Sequence, residues 1–286
     1  MTAIQNIYYL YFKDYYKDID FSYVLKDSKG KSQNEAAIAA KNARIKQSKL
    51  VEIKRENLPV NIWFQKTVAY PGLVTGIGIV HDSKKLTGGY NLGMHFDYTY
   101  GMPNIYGSSV KGVLRNYFKQ ARVRKVQPDG TETISYDDDL FTPISRRGFN
   151  IEELFEDIFN GRTLKKKSEG KQVFVSKSIY KRDIFFDAVV VKAYKDKYLV
   201  ADDSITPHKE GPLKDPIPIT MLKIAPGCTI EFRFHLNDFI SYKGDVFKAE
   251  EKKKLFMDIL KIVGIGAKTN VGYGQLEELQ EPKKDK

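Results

Sequence analysis

The sequence predicts an α+β protein, a sheet with helices on one face and long loops between its elements. Three observations point there. Two amphipathic helical segments stand far apart, over residues 108–122 and 249–263. Runs dense in β-branched and aromatic residues separate them. Strand and helix signals alternate irregularly, with no repeat of roughly 20–50 residues.

In chain order, residues 1–25 are rich in Tyr and Phe and read either as a strand or as an aromatic docking segment. NEAAIAAKNARIKQSKLVEIKREN, residues 34–57, favours helix, and Pro59 ends it. LPVNIWFQKTVAYPGLVTGIGIV has strand composition, with Pro71-Gly72 as a turn. A glycine-rich loop over 85–109 then runs into SSVKGVLRNYFKQARVRKV. There Val110, Val113, Leu114, Tyr117, Phe118 and Ala121 fall at helical spacing, with Ser108 or Ser109 as N-cap. Residues 122–182 read as an insertion: the hairpin turn QPDGTE, the polar loop YDDDLFTP, the short acidic helix IEELFEDIF and the basic loop GRTLKKKSEGK.

RDIFFDAVVVKAY then reads as one strand long enough to cross a sheet. DDSITPHKEGPLKDPIP holds four of the eleven prolines and is extended loop. TMLKIAPGCTIEFRFHL reads as a hairpin-like pair of strands around Pro226-Gly227. AEEKKKLFMDILKIV is a helix with Leu255, Phe256, Ile259, Leu260 and Val263 on one face. The loop GIGAKTNVGYG, Gly264 to Gly274, follows it directly.

A chain of 286 residues with 42% hydrophobic composition buries a real core, as one large domain or two small ones. Lys and Arg number 47 against 36 Asp and Glu, a formal charge of +11. That excess favours a polyanionic partner, because each neutralised phosphate releases condensed counterions. Cys228 is the only cysteine, which excludes an intramolecular disulfide and a Cys-based zinc site. The histidines form no HxxxH or HExxH pair, so neither metal nor cofactor is expected. Lys13 and Asp14 interrupt the N-terminal aromatic run, so it does not read as a signal peptide. No apolar run approaches the roughly 18 residues that span a bilayer. The expectation is a cytoplasmic protein without a membrane partner.

GIGAKTNVGYG fails the phosphate-loop tests. A Walker loop has Gly-Lys-Ser/Thr after a strand with the helix following, whereas Ala267 precedes Lys268 here and the helix comes first. Its spacing is not that of a dinucleotide fingerprint either. Two readings stay open: bare backbone whose N–H groups form a nest for a polyanion, or a connection whose φ values require glycine. In the 108–122 helix, Lys111, Arg115, Lys119 and Arg122 form a basic stripe beside the apolar one. The helix N-terminus adds N–H groups and the positive end of the dipole. His81, next to Asp82, and His208 lie in loops where they could donate to phosphate. A His can also act as acid or base in RNA cleavage by a ribose 2′-OH, but neither of these two has a second partner at readable spacing. His235 reads as structural. Asp137, Asp138 and Asp139 read as a solvated loop rather than a cation site.

TYGMPNIYGSSVKGVLR, Thr99 to Arg115, resembles the IPGSS-x-KG-x-LR segment of the RAMP superfamily of CRISPR proteins, and GIGAKTNVGYG resembles its C-terminal glycine-rich loop. IFFDAVVV and DDSITPHKEGPLKDPIPITMLKIAPGCTIEFRF are similar to the sixth subunit of the type III-B (Cmr) effector complex. Tyr106 stands where the family often has Pro, and Lys209-Glu210 where aromatic residues often follow the TPH motif.

The resemblance covers roughly 65–120 and 183–276. It implies a single domain over 1–286 with a ferredoxin-like (RRM-like) core, large insertions and glycine-rich loops. Residues 1–60 would be an N-terminal extension, 122–182 a thumb-like hairpin or subunit contact, and 264–276 the glycine-rich loop.

The implied role is a non-catalytic subunit that holds guide RNA and target RNA beside neighbouring RAMP subunits, near the 3′ end of the guide. RNA contacts would fall on Ser108, Ser109, Lys111, Arg115 and Lys119 at the helix, on His208, and on Gly266, Lys268, Thr269, Asn270, Gly272 and Tyr273 in the loop. The alternatives are a metal-independent guide-processing endoribonuclease using His81 or His208, and a protein scaffold whose charge is incidental.

Overall fold

The computed structural model describes residues 6–19, 28–79, 81, 86–126, 132–166, 171–206 and 218–279. The aromatic N-terminus is helical, not a strand: α1 (Ile7–Tyr9) runs on as a π-turn over Leu10–Asp14. Tyr11 and Tyr15, four residues apart, share one face and are both fully buried. Helix α2 (Ser28–Lys46) stops well before Pro59. Beyond it Leu50, Val51 and Ile53 pack on the core as extended chain. Arg233 donates to the Ile53 carbonyl at 2.6 Å, and the Arg55 guanidinium lies 3.8 Å from the Trp63 ring centre. Contacts with the sheet therefore override a helix-favouring composition.

Strand β1 (Ile62–Val68) leads through the long loop to β2 (Asn104–Ile105) and helix α3 (Gly107–Gln120). Residues 122–182 follow as a ribbon of β3 (Arg122–Val126) and β4 (Glu132–Tyr136), then α4 (Thr142–Arg146), then α5 (Ile151–Phe155) with a π-turn to Asn160. A second ribbon, β5 (Arg162–Lys166) and β6 (Gln172–Ser176), completes this stretch. Phe118 of α3 packs on Phe141 and Phe159 at 4.5 and 5.2 Å between ring centres, which ties its helical part to the core.

The expected single strand of RDIFFDAVVVKAY is broken into β7 (Ile184–Phe185) and β8 (Ala188–Lys192). The start of α3 presses on the break: a Cβ on Gly107 would lie 2.1 Å from the Phe185 carbonyl oxygen. Next come β9 (Val200–Ile205), β10 (Ile219–Ile224) and β11 (Thr229–His235). β10 and β11 are not a hairpin. β10 pairs with β9, while β11 pairs with β1 and β8. The Ala225 amide goes to Leu199 and the Gly227 amide to Val68, so the Pro226-Gly227 turn carries the chain from one sheet to the other.

After the small pair β12 (Phe239–Ile240) and β13 (Val246–Phe247), helix α6 (Ala249–Val263) and β14 (Leu276–Glu277) finish the fold.

The main sheet has the order β14-β1-β11-β8-β2, with antiparallel neighbours and β7 also on β11. Phe64 and Phe232 face each other across β1 and β11 with rings stacked at 5.0 Å. This apolar face carries α3 and α6, the latter through Phe256 on Phe234 at 5.6 Å. Under α6, fully buried Lys252 bonds Asp157 at 3.0 Å and Asp183 at 2.6 Å. Asp157 also takes Lys177 at 2.6 Å, so one charged network joins α6, the α5 π-turn and the approach to β7. Among the described residues, no helix is long and apolar enough to cross a membrane.

Candidate nucleic-acid interface

The N-terminus of α3 is not capped by Ser108 or Ser109. Tyr106 is the N-cap residue and caps without its side chain. The orphan Gly107 amide instead donates to Asp187 Oδ1 at 2.8 Å, and Asn104 Nδ2 holds the other carboxylate oxygen at 2.9 Å. Asp187 sits at the strand break, so the irregularity that interrupts β7 and β8 also supplies the carboxylate that satisfies the helix dipole.

Around α3, Val110, Leu114 and Phe118 are buried. At 100° per residue, Lys111 and Arg115 flank one side of that face, and Val113 and Gln120 the other. Between the flanks lies an exposed ridge of Ser108, Gly112, Asn116 and Lys119. Arg122 leaves the stripe: it begins β3 and pairs with Glu152 at 2.7 Å, whose other oxygen takes the Tyr136 hydroxyl.

Lys111 is half-buried beside Arg115 and Arg182. Burial, then these like charges, hold its ammonium below the ordinary lysine value, against the pull of Asp183. Arg115 donates to Asn160 at 3.2 Å, and its Nε has no partner among the described residues. Lys119 is exposed and pairs with no described carboxylate. Arg182 was not singled out in the sequence, because only the fold brings it beside α3.

The glycine-rich loop resolves its two readings residue by residue. Gly264, Gly266, Gly272 and Gly274 all have positive φ. A Cβ on Gly266 would lie 2.5 Å from the Val74 carbonyl oxygen, and one on Gly274 would lie 1.8 Å from that of Ile265. What approaches these glycines closely is the protein's own backbone. The Ile265 amide donates to the Gly274 carbonyl at 2.9 Å, and the Ala267 amide donates to that of Val74 at 2.8 Å.

The open amides belong to other residues. Those of Lys268, Thr269 and Asn270 have no acceptor among the described residues. Lys268 is left-handed (φ 61) and leads into a right-handed 3-10 turn at Thr269, the backbone alternation that shapes an anion nest. Tyr273 faces the other way. Its ring is buried and its hydroxyl donates to Asp203 at 2.8 Å, beside Lys223.

α3 and the loop share a cleft of about 390 Å³, lined by Asn116 and Gln120 on one side and Gly266, Thr269 and Asn270 on the other. The cationic flank does not line it. Cations and nest are thus opposite banks of one ridge rather than a single cluster.

His81 is buried, with Nδ1 2.7 Å from the Tyr90 carbonyl oxygen and Nε2 2.8 Å from that of Tyr11, among the rings of Tyr11, Tyr15 and Tyr16. Both nitrogens are engaged away from solvent, so His81 is not placed as an acid–base for cleavage. His208 lies outside the described residues. His95 stacks on Tyr106 at 4.0 Å, and burial pushes its imidazole below the ordinary histidine value. Among the described residues, no group of three or more His, Cys, Asp or Glu side chains is placed to hold a metal ion.

An antiparallel sheet backed by two helices, with a cationic helix flank across from a glycine-rich loop, defines the class. The chain belongs to the RAMP superfamily, whose family model matches residues 67–277. Among solved structures it is similar to a chain of the type III-B Cmr-β complex bound to cognate target RNA, with TM-score 0.45 and 23% identity, over 76% of this chain and 58% of that one. It thus spans little more than half of that relative. It is also similar to Cmr6 from Pyrococcus furiosus, with TM-score 0.39 and 21% identity, over 76% of this chain and 97% of that one. A chain of the type III-A Csm–crRNA–target RNA ternary complex aligns with TM-score 0.22 and 23% identity, over 50% of this chain and 39% of that one. No curated protein sequence matches the chain significantly.

Proposed function

We propose that this RAMP protein is a non-catalytic, cytoplasmic RNA-binding subunit of a type III-B RNA-guided complex. It would hold guide RNA, and through it target RNA, next to neighbouring RAMP subunits near the 3′ end of the guide. The observation that carries this reading is the ridge of α3. Gly112 leaves the middle of the exposed side of α3 bare, with open space where a Cβ would stand. A mid-helix glycine weakens a helix by roughly 0.5–1 kcal/mol relative to alanine, and no packing among the described residues requires it here.

Lys111 and Arg115 rise on one bank, Lys119 stands on the ridge itself, and the Lys268–Asn270 nest lies on the other bank. A phosphodiester backbone laid over Ser108 and Gly112 meets cations on one side and N–H donors on the other. Such contacts are tolerant of sequence. Asp187 at the helix start keeps the dipole from drawing a phosphate there, so the ridge and not the N-terminus is the binding surface.

The core is read as ferredoxin-like. The succession β1, α3, β8, β11, α6, β14 and the sheet order β14-β1-β11-β8 support that reading. The endoribonuclease reading has no support at His81. The test is photocrosslinking of RNA in the assembled complex. Crosslinked peptides from 107–120 and 266–272 are expected, and crosslinks confined to other surfaces would contradict the assignment.

A further inference from the structure

The N-terminal helix and the loop before α3 enclose a second surface of different chemistry. Tyr8 and Phe12 on one side, and Tyr98 and Tyr106 on the other, line a pocket of about 270 Å³ with Met94 and Phe96 also in its wall. That is just below the range of ordinary ligand clefts, roughly 300 to 1,000 Å³, so it suits one ring system. Met94 and Phe96 are buried, whereas Tyr98 is 70% exposed at the mouth. The rings brace one another: Tyr8 meets Tyr98 edge-on at 5.2 Å and Phe12 at 5.3 Å, and Phe12 meets Phe96 edge-on at 6.0 Å. Burial and a hydrogen bond with Tyr98 push the Tyr106 phenol up to about 12, so it stays neutral. Exposed Lys13 stands beside the aromatic walls as a cation.

We propose that this pocket takes one unstacked nucleobase of the RNA strand that crosses the α3 ridge. This rests on the RNA-backbone reading above and adds a base subsite to it. Tyr106 carries the connection, since it lines the pocket and is also the N-cap of α3. A strand passing over Ser108 therefore reaches the pocket within two residues of the ridge. Aromatic walls bind any base by its π-face, and the sequence-tolerant result matches backbone binding on the ridge. Tyr8 and Phe12 lie outside the stretch matched by the superfamily model. The pocket thus depends on the chain's own N-terminal segment.

The experiment compares two single-stranded RNAs of equal length and phosphate count, one with bases and one abasic, on the full chain. Wild type is expected to bind the base-bearing strand about tenfold more tightly. Tyr98→Ala, at an exposed position, removes that difference and leaves the abasic affinity unchanged, and Tyr98→Phe restores it. Equal wild-type affinity for both strands overturns the base pocket and leaves the backbone reading standing. A Lys111→Ala/Arg115→Ala/Lys119→Ala protein that still binds both strands like wild type overturns the backbone reading instead. Equal loss on both strands in Tyr98→Ala, or no binding of either strand by wild type, overturns the pocket as well.

Discussion

Asp187 accepts the Gly107 amide at 2.8 Å, so a carboxylate from the broken strand closes the start of the helix that carries the cationic flank. This contact fixes where α3 begins and puts a negative charge at one end of the ridge. Asp187→Asn keeps an acceptor but loses the charge–dipole attraction, and stability should fall by about 0.3–1 kcal/mol, read as a lower melting temperature. At low salt the same variant should bind single-stranded RNA more tightly, because one repelling charge is gone. An unchanged melting temperature would remove the capping role.

Gly112 separates fold from function. Its backbone is helical, and a Cβ there meets nothing within 4 Å among the described residues. Gly112→Ala should therefore stabilise the free protein by about 0.5–1 kcal/mol. Gly112→Phe should leave the melting temperature close to wild type and obstruct the ridge, lowering RNA affinity. If the bulky variant binds RNA normally, the strand does not cross α3 there.

The loop anchor gives a pH prediction. Partial burial pushes the Asp203 carboxyl up, but hydrogen bonds from Lys223, Tyr273 and the Ser204 amide outweigh it and hold the group below the ordinary aspartate value. A depressed carboxyl contributes stability above its unfolded pKa, and that contribution disappears as pH falls through the folded pKa. Tyr273 behaves oppositely: burial, then the Asp203 carboxylate, push its phenol up to about 12. Its contribution is complete below the unfolded value of about 10 and is lost as pH rises toward the folded one. Asp203→Asn should melt below wild type near neutrality and match it in acid, once the pH has fallen through the depressed folded-state pKa of Asp203. A constant gap across the acid range would contradict this.

Lys252 lies between Asp157 and Asp183 with no exposure. Lys252→Met leaves two buried carboxylates short of a partner and should cost about 3–5 kcal/mol, measured by chemical denaturation. A loss within the range of an ordinary surface substitution, below about 0.5 kcal/mol, would show that the network is not under tension.

What was readable in the sequence follows from how local each signal is. α3 and α6 repeat their apolar positions over several turns, so periodicity alone locates them. The end of α2 depends on Arg233 meeting the Ile53 carbonyl from far along the chain, and no local signal marks it. The break at Asp187 has the same origin: its partner, Gly107, stands 80 residues earlier. Pro226-Gly227 looks like a hairpin turn locally, and only the pairing of β10 with β9 shows that it links two sheets.

At the site, spacing groups Lys111, Arg115, Lys119 and Arg122 as one stripe, but Glu152 engages Arg122 away from it, and Arg182, which no local spacing marks, comes beside Lys111 only through the fold. Glycine content located the loop. Backbone angles were needed to see that its open amides are those of Lys268, Thr269 and Asn270.

The salt dependence of RNA affinity tests the ridge most directly. For single strands, log K falls with log salt by roughly 0.7 per neutralised phosphate. Replacing Lys111, Arg115 and Lys119 with alanine should therefore flatten that slope by about 2 and weaken binding most at low salt. Parallel lines for wild type and variant would mean that no phosphate meets these three cations, and would contradict the assignment of α3 as the RNA-bearing surface.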